Sequence, residues 1–390
     1  MKPELIVRSA CEEWAAEARV PADLADRALR ARTGRHPFKL ALAGGATALL
    51  VGATAVAVAF GGGSAHPGPD HAFEPVALSS DTTLRTDLGS AFPRRLVAAG
   101  HTAVAAYFTR HTRMVNGRST LQRTWHLYSP STGEYEQTPW AYISVAPGME
   151  RAAVLQGPLP ATRVGVLDMR TRKVVHWIQL DHPVGGAAWS PDGRRLLLTA
   201  YNGSPDVEAG PGKSSRTGYY IVDSAAGSGA FHSLPARSDN FNARQDMGWS
   251  RDGTLIWAPT ATVPTKVFYT RTGERRPAPA HEADYTDGEE AGLSPNGTLL
   301  PAFGPSPGPA VTVRNVVTGK AVAVLPIEQD KAWADDRHLF AIGCDPQNCQ
   351  RKNEFRNRLL LVDLDGKITP LTGYRRFDRA GAWVPVFTHR

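Results

Sequence analysis

One string constrains the fold more than any other in this chain: WSPDGRRLLLTAY, which begins at Trp189 and returns in altered form on either side. SVAPGMERAAVLQ precedes it, MGWSRDGTLIWAP and AGLSPNGTLLPAF follow it, and AWADDRHLFAIG is a degenerate fifth copy. The turn glycines Gly148, Gly193, Gly253 and Gly297 recur near the roughly 40 to 50 residues that one unit occupies in several repeat architectures. A second series runs between these copies: YSPSTGEYEQ around Gly133, LDMRTRKVVHW around Arg172, VDSAAGSGAFHS around Gly227, YTRTGERRPA around Gly273, RNVVTGKAVAVL around Gly319 and VDLDGKITPL around Gly366. Each sets a polar turn after a strand-like run. The residue that closes a type I turn with a bulge takes a positive φ, which is why glycine dominates there.

Interleaved, the two series define a unit of four strands: an inner strand ending in Trp-Ser or its equivalent, the Asp-Gly turn, a buried strand such as LLLTAY, a loop, and the hairpin. That is the blade of a β-propeller. A content of 37 glycines and 30 prolines suits many short strands and turns. The strings WSPDGRRLLL, WSRDGTLIW at Trp249 to Trp257 and LSPNGTLL at Leu293 to Leu300 resemble the bacterial WD-repeat-like or TolB-like propellers. The resemblance covers residues 90 to 388 and implies an all-β fold of four-stranded blades. It says little about activity, because propellers host unrelated functions. Six modules between Pro93 and Tyr374 imply six blades. GAWVPVFTHR at the end looks like one more inner strand, which either completes the six-blade ring or joins HAFEPVALSS, residues 71 to 80, in a composite seventh blade; the expectation is six.

Leu40 to Phe60, LALAGGATALLVGATAVAVAF, is uncharged and long enough to cross a hydrocarbon core as a helix. Arg27, Arg30, Arg32, Arg35 and Lys39 precede it without an acid, whereas Asp70 and Glu74 follow it with no cation before Arg85. The positive-inside rule then puts the N-terminus in the cytoplasm and the remainder outside. Gly63-Ser64-Ala65 resembles a signal cleavage site, but the preceding tail is far longer than a signal peptide's cationic region. The expected organisation is a short helical cytoplasmic tail at 1–37, a transmembrane helix at 38–60, a linker and lead-in at 61–90, and an extracytoplasmic propeller at 91–390.

The net charge of +7 comes from scattered arginines, and pairs such as Arg194-Arg195, Arg275-Arg276 and Arg375-Arg376 form no basic stripe. Nucleic acid is therefore not an expected partner. Cys344 and Cys349 stand close together in GCDPQNCQ, where an exported chain would bridge them. Zinc needs four ligands in paired spacing, and only His338 is near these cysteines, while the tail offers Cys11 and His36 alone. No metal or other cofactor is expected. Gly304-Pro305-Ser306-Pro307-Gly308 satisfies the nucleophile-elbow pattern, yet that elbow works only at a strand-to-helix turn, and here prolines flank the serine. The acids Asp284, Asp287, Glu289 and Glu290 read as a solvated loop.

Loops that precede predicted inner strands converge at one mouth of a closed ring. This makes Trp140, His182, Asn242, Tyr285, Asp330 and Asp378 the candidate ligand-binding residues, with His281 in an equivalent loop. No nucleophile–base pair can be placed, so no residue is assigned to catalysis. The sequence favours a membrane-anchored recognition or scaffolding module for a protein, glycan or envelope ligand. The alternatives are a propeller-type lyase or glycan-active hydrolase, or an envelope sensor that signals through its tail.

Overall fold

The computed structural model describes residues 80–207, 214–236, 244–260, 264–283, 285, 291–303, 310–344, 356–376 and 383–390. The expected tail, membrane span and most of the linker lie outside these residues, as do Ser306, Cys349, Asn242 and Asp378. Among the described residues no helix is long and apolar enough to cross a membrane.

Every regular element described is a strand. In order they are β1 (Ala98–Ala99), β2 (Thr102–Val115), β3 (Arg118–Ser129), β4 (Glu134–Gln137), β5 (Tyr142–Val145), β6 (Arg151–Leu155), β7 (Ala161–Asp168), β8 (Val174–Trp189), β9 (Arg195–Tyr201), β10 (Arg216–Asp223), β11 (Gly229–Ser233) and β12 (Gly248–Trp249). There follow β13 (Ile256–Pro259), β14 (Lys266–Tyr269), β15 (Arg275–Arg276), β16 (Leu299–Phe303), β17 (Val311–Asn315), β18 (Ala321–Leu325), β19 (Gln329–Trp333), β20 (His338–Gly343), β21 (Arg356–Asp363), β22 (Ile368–Pro370), β23 (Arg375–Arg376) and β24 (Trp383–His389).

Pairing follows chain order, so the sheets are antiparallel meanders. β5 to β11 form one sheet because β8 serves twice, its first half pairing with β7 and its second half with β9. β12–β15 and β16–β18 form separate sheets, and β19–β22 form another in which β23 also pairs with β21. The C-terminal β24 pairs with β2 from Thr102↔His389 to Thr109↔Trp383, while β3 occupies the other edge of β2. The last strand therefore completes the first sheet, which is how a ring of blades closes without a free end. The arrangement is an all-β propeller.

The two turn series explain this regularity. At Ser190, Ser250 and Ser294 the buried hydroxyl donates to Asp192, Asp252 and Asn296 two residues on, at 2.5, 2.6 and 2.8 Å. The same hydroxyls accept the amides of Arg195, Leu255 and Leu299 at 2.9, 2.9 and 3.0 Å. Gly193 and Gly253 close these turns at φ of 69° in both cases, a left-handed value that side chains resist. In the hairpin series all six expected positions have positive φ, including the non-glycine Arg172 at 60°.

Successive side chains of a strand point to opposite faces. In β9, Leu196, Leu198 and Ala200 therefore join one core cluster, with Val164, Ile178 and Val184, while Leu197 joins another, with Tyr219, Met247 and Ile256. The apolar clusters lie between neighbouring meanders, including one that unites Val104 and Tyr107 of the first sheet with Phe340 and Leu359 of the β19–β22 sheet. The seam between the β12–β15 and β16–β18 sheets differs. There Arg251 Nη2 donates to the carbonyls of Ser294 and Pro295 at 3.0 and 2.7 Å, and Lys266 and Glu282 are buried.

Candidate binding site

The innermost segments of successive units face a common cavity of about 690 Å³. β24, β5, the second half of β8, β12, residues 291–295 and β19 all contribute to its wall. Trp189, Trp249, Trp257, Trp333 and Phe387 provide the aromatic surface, and Arg251, Lys331 and His389 provide the titratable groups. Among the described residues that line it there is no carboxylate.

Three of the tryptophans are fixed by one repeated bond. The indole N–H of Trp189 donates to Ser144 O at 2.9 Å, that of Trp249 to Ala188 O at 3.1 Å, and that of Trp333 to Gly292 O at 2.9 Å. Each indole thus bridges to the inner segment of the preceding unit. Trp189 and Trp333 are buried, whereas Trp249 is only half-buried and presents ring surface to the cavity. The two tryptophans thus occupy equivalent positions but differ in burial. Trp257 belongs to the second strand of its sheet and reaches the cavity because Gly248, its cross-strand partner, leaves the space above the backbone empty. Its N–H donates to Trp249 O at 3.0 Å.

Charged groups sit behind the wall. Lys266 Nζ lies 3.5 Å from the Tyr285 ring centroid and 5.2 Å from that of Trp257, placing a cation on two aromatic faces. Glu282 accepts the Arg251 amide at 3.1 Å, and burial raises its pKa above the ordinary value. Asp330 accepts the Ala291 amide at 2.8 Å and is also raised by burial. His389 is held below the usual histidine value by burial.

Of the residues expected at the channel mouth, Tyr285 and Asp330 meet the same dipeptide. The Tyr285 ring packs where a side chain on Gly292 would stand, and Asp330 holds the amide of the adjoining Ala291. Both are buried supports for the wall. Trp140 packs edge-on against Trp177 with centroids 6.0 Å apart. His182 stacks on Phe231 at 3.8 Å, with Nδ1 3.0 Å from the Tyr220 hydroxyl. None of these four lines the cavity.

A second polar cluster joins three units. Asp206 binds the guanidinium of Arg123 and, at 2.7 Å, that of Arg244, which also holds Asp246 at 2.7 Å. Tyr201 donates to Asp246 at 2.7 Å. Burial disfavours the Arg244 charge, but Asp246 and Asp206 outweigh it and raise its pKa. Among the described residues no group of three or more His, Cys, Asp or Glu side chains could hold a metal ion.

No protein-family model matches the chain, and no curated protein matches it. Solved structures similar to it include TolB from Acinetobacter baumannii, at 14% identity over 72% of this chain and 67% of that one, with a TM-score of 0.35. Another is the Cps50 (Swd1) β-propeller domain of Myceliophteria thermophila, at 12% identity over 74% and 90% of the two chains, with a TM-score of 0.37. A prolyl endopeptidase structure is similar at 12% identity over 71% of this chain and 51% of its own, with a TM-score of 0.40. The fold assignment rests on the strand pairing described above.

Proposed function

We propose that this chain is a membrane-tethered propeller of six blades whose exported ring recognises a ligand or partner at its axial cavity. The observation that carries the recognition reading is the cavity wall, in which four tryptophans and Phe387 surround Arg251, Lys331 and His389. Concave aromatic surfaces with a few placed polar groups are the usual form of a binding site. The buried carboxylates nearest the wall, Glu282 and Asp330, are each engaged by a backbone amide, as supports for a wall would be.

Six blades follow when β8 is counted in two units and residues 291–293 are taken as the inner segment beside β16–β18. The tether rests on the uncharged Leu40–Phe60 run and its one-sided cationic flank. Export in turn favours a Cys344–Cys349 bridge.

A photo-crosslinking residue in place of Trp257, in the full detergent-solubilised chain, tests the recognition reading against envelope extract. Adducts at that position, absent when the same residue replaces the exposed Val317, support recognition. Turnover of a peptide or glycan by the purified chain, lost on Glu282→Gln or Asp330→Asn without loss of folding, would make the propeller an enzyme instead.

A further inference from the structure

The hairpin formed by β2 and β3 is much longer than its sheet requires. Among the described residues β24 pairs with β2 as far as Thr109 and β4 pairs with β3 only from His126 onward, yet the β2–β3 ladder continues to Val115↔Arg118. Every residue from Arg110 to Arg118 is exposed. Six extra residues on each strand extend the finger by about 20 Å. Its tip is a two-residue loop, Asn116-Gly117, with φ of 50° and 73°, the pair of positive values a tight hairpin turn with native twist demands.

The root of the finger is braced. Arg123 forms its ion pair with Asp206, the Leu121 amide donates to Asp206 O at 2.8 Å, and Thr120 bridges to Val207. Beyond this brace no acid among the described residues pairs with it. From Thr109 to Ser131 the sequence contains no acid, and Arg110, Arg113 and Arg118 form no ion pair among the described residues. At the summit Met114 is 64% and Val115 41% exposed. Side chains alternate along a strand, so Met114 shares a face with Arg110, and Val115 shares the other with Arg113 and its partner Arg118.

An apolar tip ringed by arginines is the pattern of a segment that enters the headgroup region of an anionic bilayer: the apolar side chains sink past the headgroups while the guanidinium groups remain among the phosphates. A purely electrostatic contact with a soluble polyanion needs the arginines but leaves Met114 and Val115 without a role. We infer that the β2–β3 finger is a docking element for an anionic phospholipid surface. The reach of the chain permits this: residues 61–79 between the expected span and the described ring stretch about 65 Å when extended. The inference stands on the finger itself and does not depend on the axial cavity or the tether.

The test uses the full chain held in phosphatidylcholine nanodiscs and mixed with separate vesicles, so that docking is read between two bilayers. Co-sedimentation should occur with vesicles containing phosphatidylglycerol, be absent with phosphatidylcholine alone, and fade as ionic strength rises. Arg110→Gln, Arg113→Gln and Arg118→Gln together should weaken partitioning about a hundredfold, since each arginine near an anionic surface is worth about a factor of five. Met114→Asp should also weaken it, with unchanged melting temperature because the tip is exposed. Equal binding to neutral vesicles, or full binding by the triple variant, overturns the inference. So does unchanged binding by Met114→Asp, which reduces the finger to a site for polyanions in general. Failure of the chain to embed in nanodiscs counts against the tether alone; the vesicle assay then proceeds on the full chain in buffer.

Discussion

The indole of Trp257 lies across Gly248, in the space that a side chain on the inner strand would fill. A Cβ placed on Gly248 would overlap the ring. The glycine therefore decides whether a second-strand tryptophan reaches the axial cavity. Gly248→Val should expel Trp257 from the wall and cost about 1 to 3 kcal/mol as an overpacked site. Denaturant unfolding measures the cost, and the tryptophan emission of the folded protein reports the displaced ring. Unchanged stability and emission would show that the wall does not depend on this contact.

Trp189 and Trp249 donate the same bond to the preceding unit but differ in burial. Trp189→Ala should cost about 3 to 5 kcal/mol, the range for truncating a packed aromatic. Trp249→Ala should cost less, because part of its ring already faces the cavity. Trp189→Phe keeps most of the packing and removes the bond to Ser144 O, a loss of about 1 kcal/mol. Equilibrium unfolding of the three variants checks the order, and equal losses at the two alanine positions would contradict it.

Much of the fold was legible because its turns are local chemistry. Ser-Pro-Asp-Gly and Thr-Gly carry their conformations with them, and the positive φ at Gly193, Gly253 and the five hairpin glycines follows from the residues themselves, whereas Arg172 adopts it through its place in the turn. The cavity was not legible in the same way. Which side chains face an axis depends on how distant units assemble, and Trp257 reaches it only through Gly248 on a neighbouring strand. Loop position pointed to Trp140 and His182, but their rings pack against Trp177 and Phe231, away from the wall. Tyr285 and Asp330 were well placed but serve as supports. The long finger carries its own signal in Asn116-Gly117, a tight-turn pair that stands outside both turn series because its period belongs to no blade.

Arg244 holds Asp206 and Asp246 together, with its guanidinium also donating to Gly185 O at 2.8 Å. Removing one partner of a buried pair leaves the others charged and unpaired. Arg244→Met should therefore destabilise the ring by about 2 to 4 kcal/mol, toward the low side of the usual loss because the side chains retain some exposure. Adding Asp246→Asn should recover part of that loss. A double-mutant cycle by urea unfolding measures the coupling, and strictly additive losses would show that the two groups act independently.

The polar seam that holds Glu282 makes a prediction about pH. Burial raises the folded pKa of Glu282 above its ordinary 4.5, although the Arg251 amide and the charges of Lys266 and Arg251 oppose the shift. An acid whose folded pKa is raised binds more protons in the folded state, so its contribution is fully present below the unfolded value and is lost as pH rises through the folded one. Glu282→Gln removes this ionisation while its carbonyl can still accept the Arg251 amide. The variant should therefore gain stability relative to the parent as pH rises from 4 to 7, whatever its offset at pH 4. Asp330 is raised by burial in the same direction, so Asp330→Asn should behave alike, and the double variant should show the larger slope. Melting temperatures of parent and variants across that range provide the comparison. A difference that is flat with pH, or that falls as pH rises, would mean that Glu282 is ionised in the fold at no cost and that the seam is more hydrated than its burial implies.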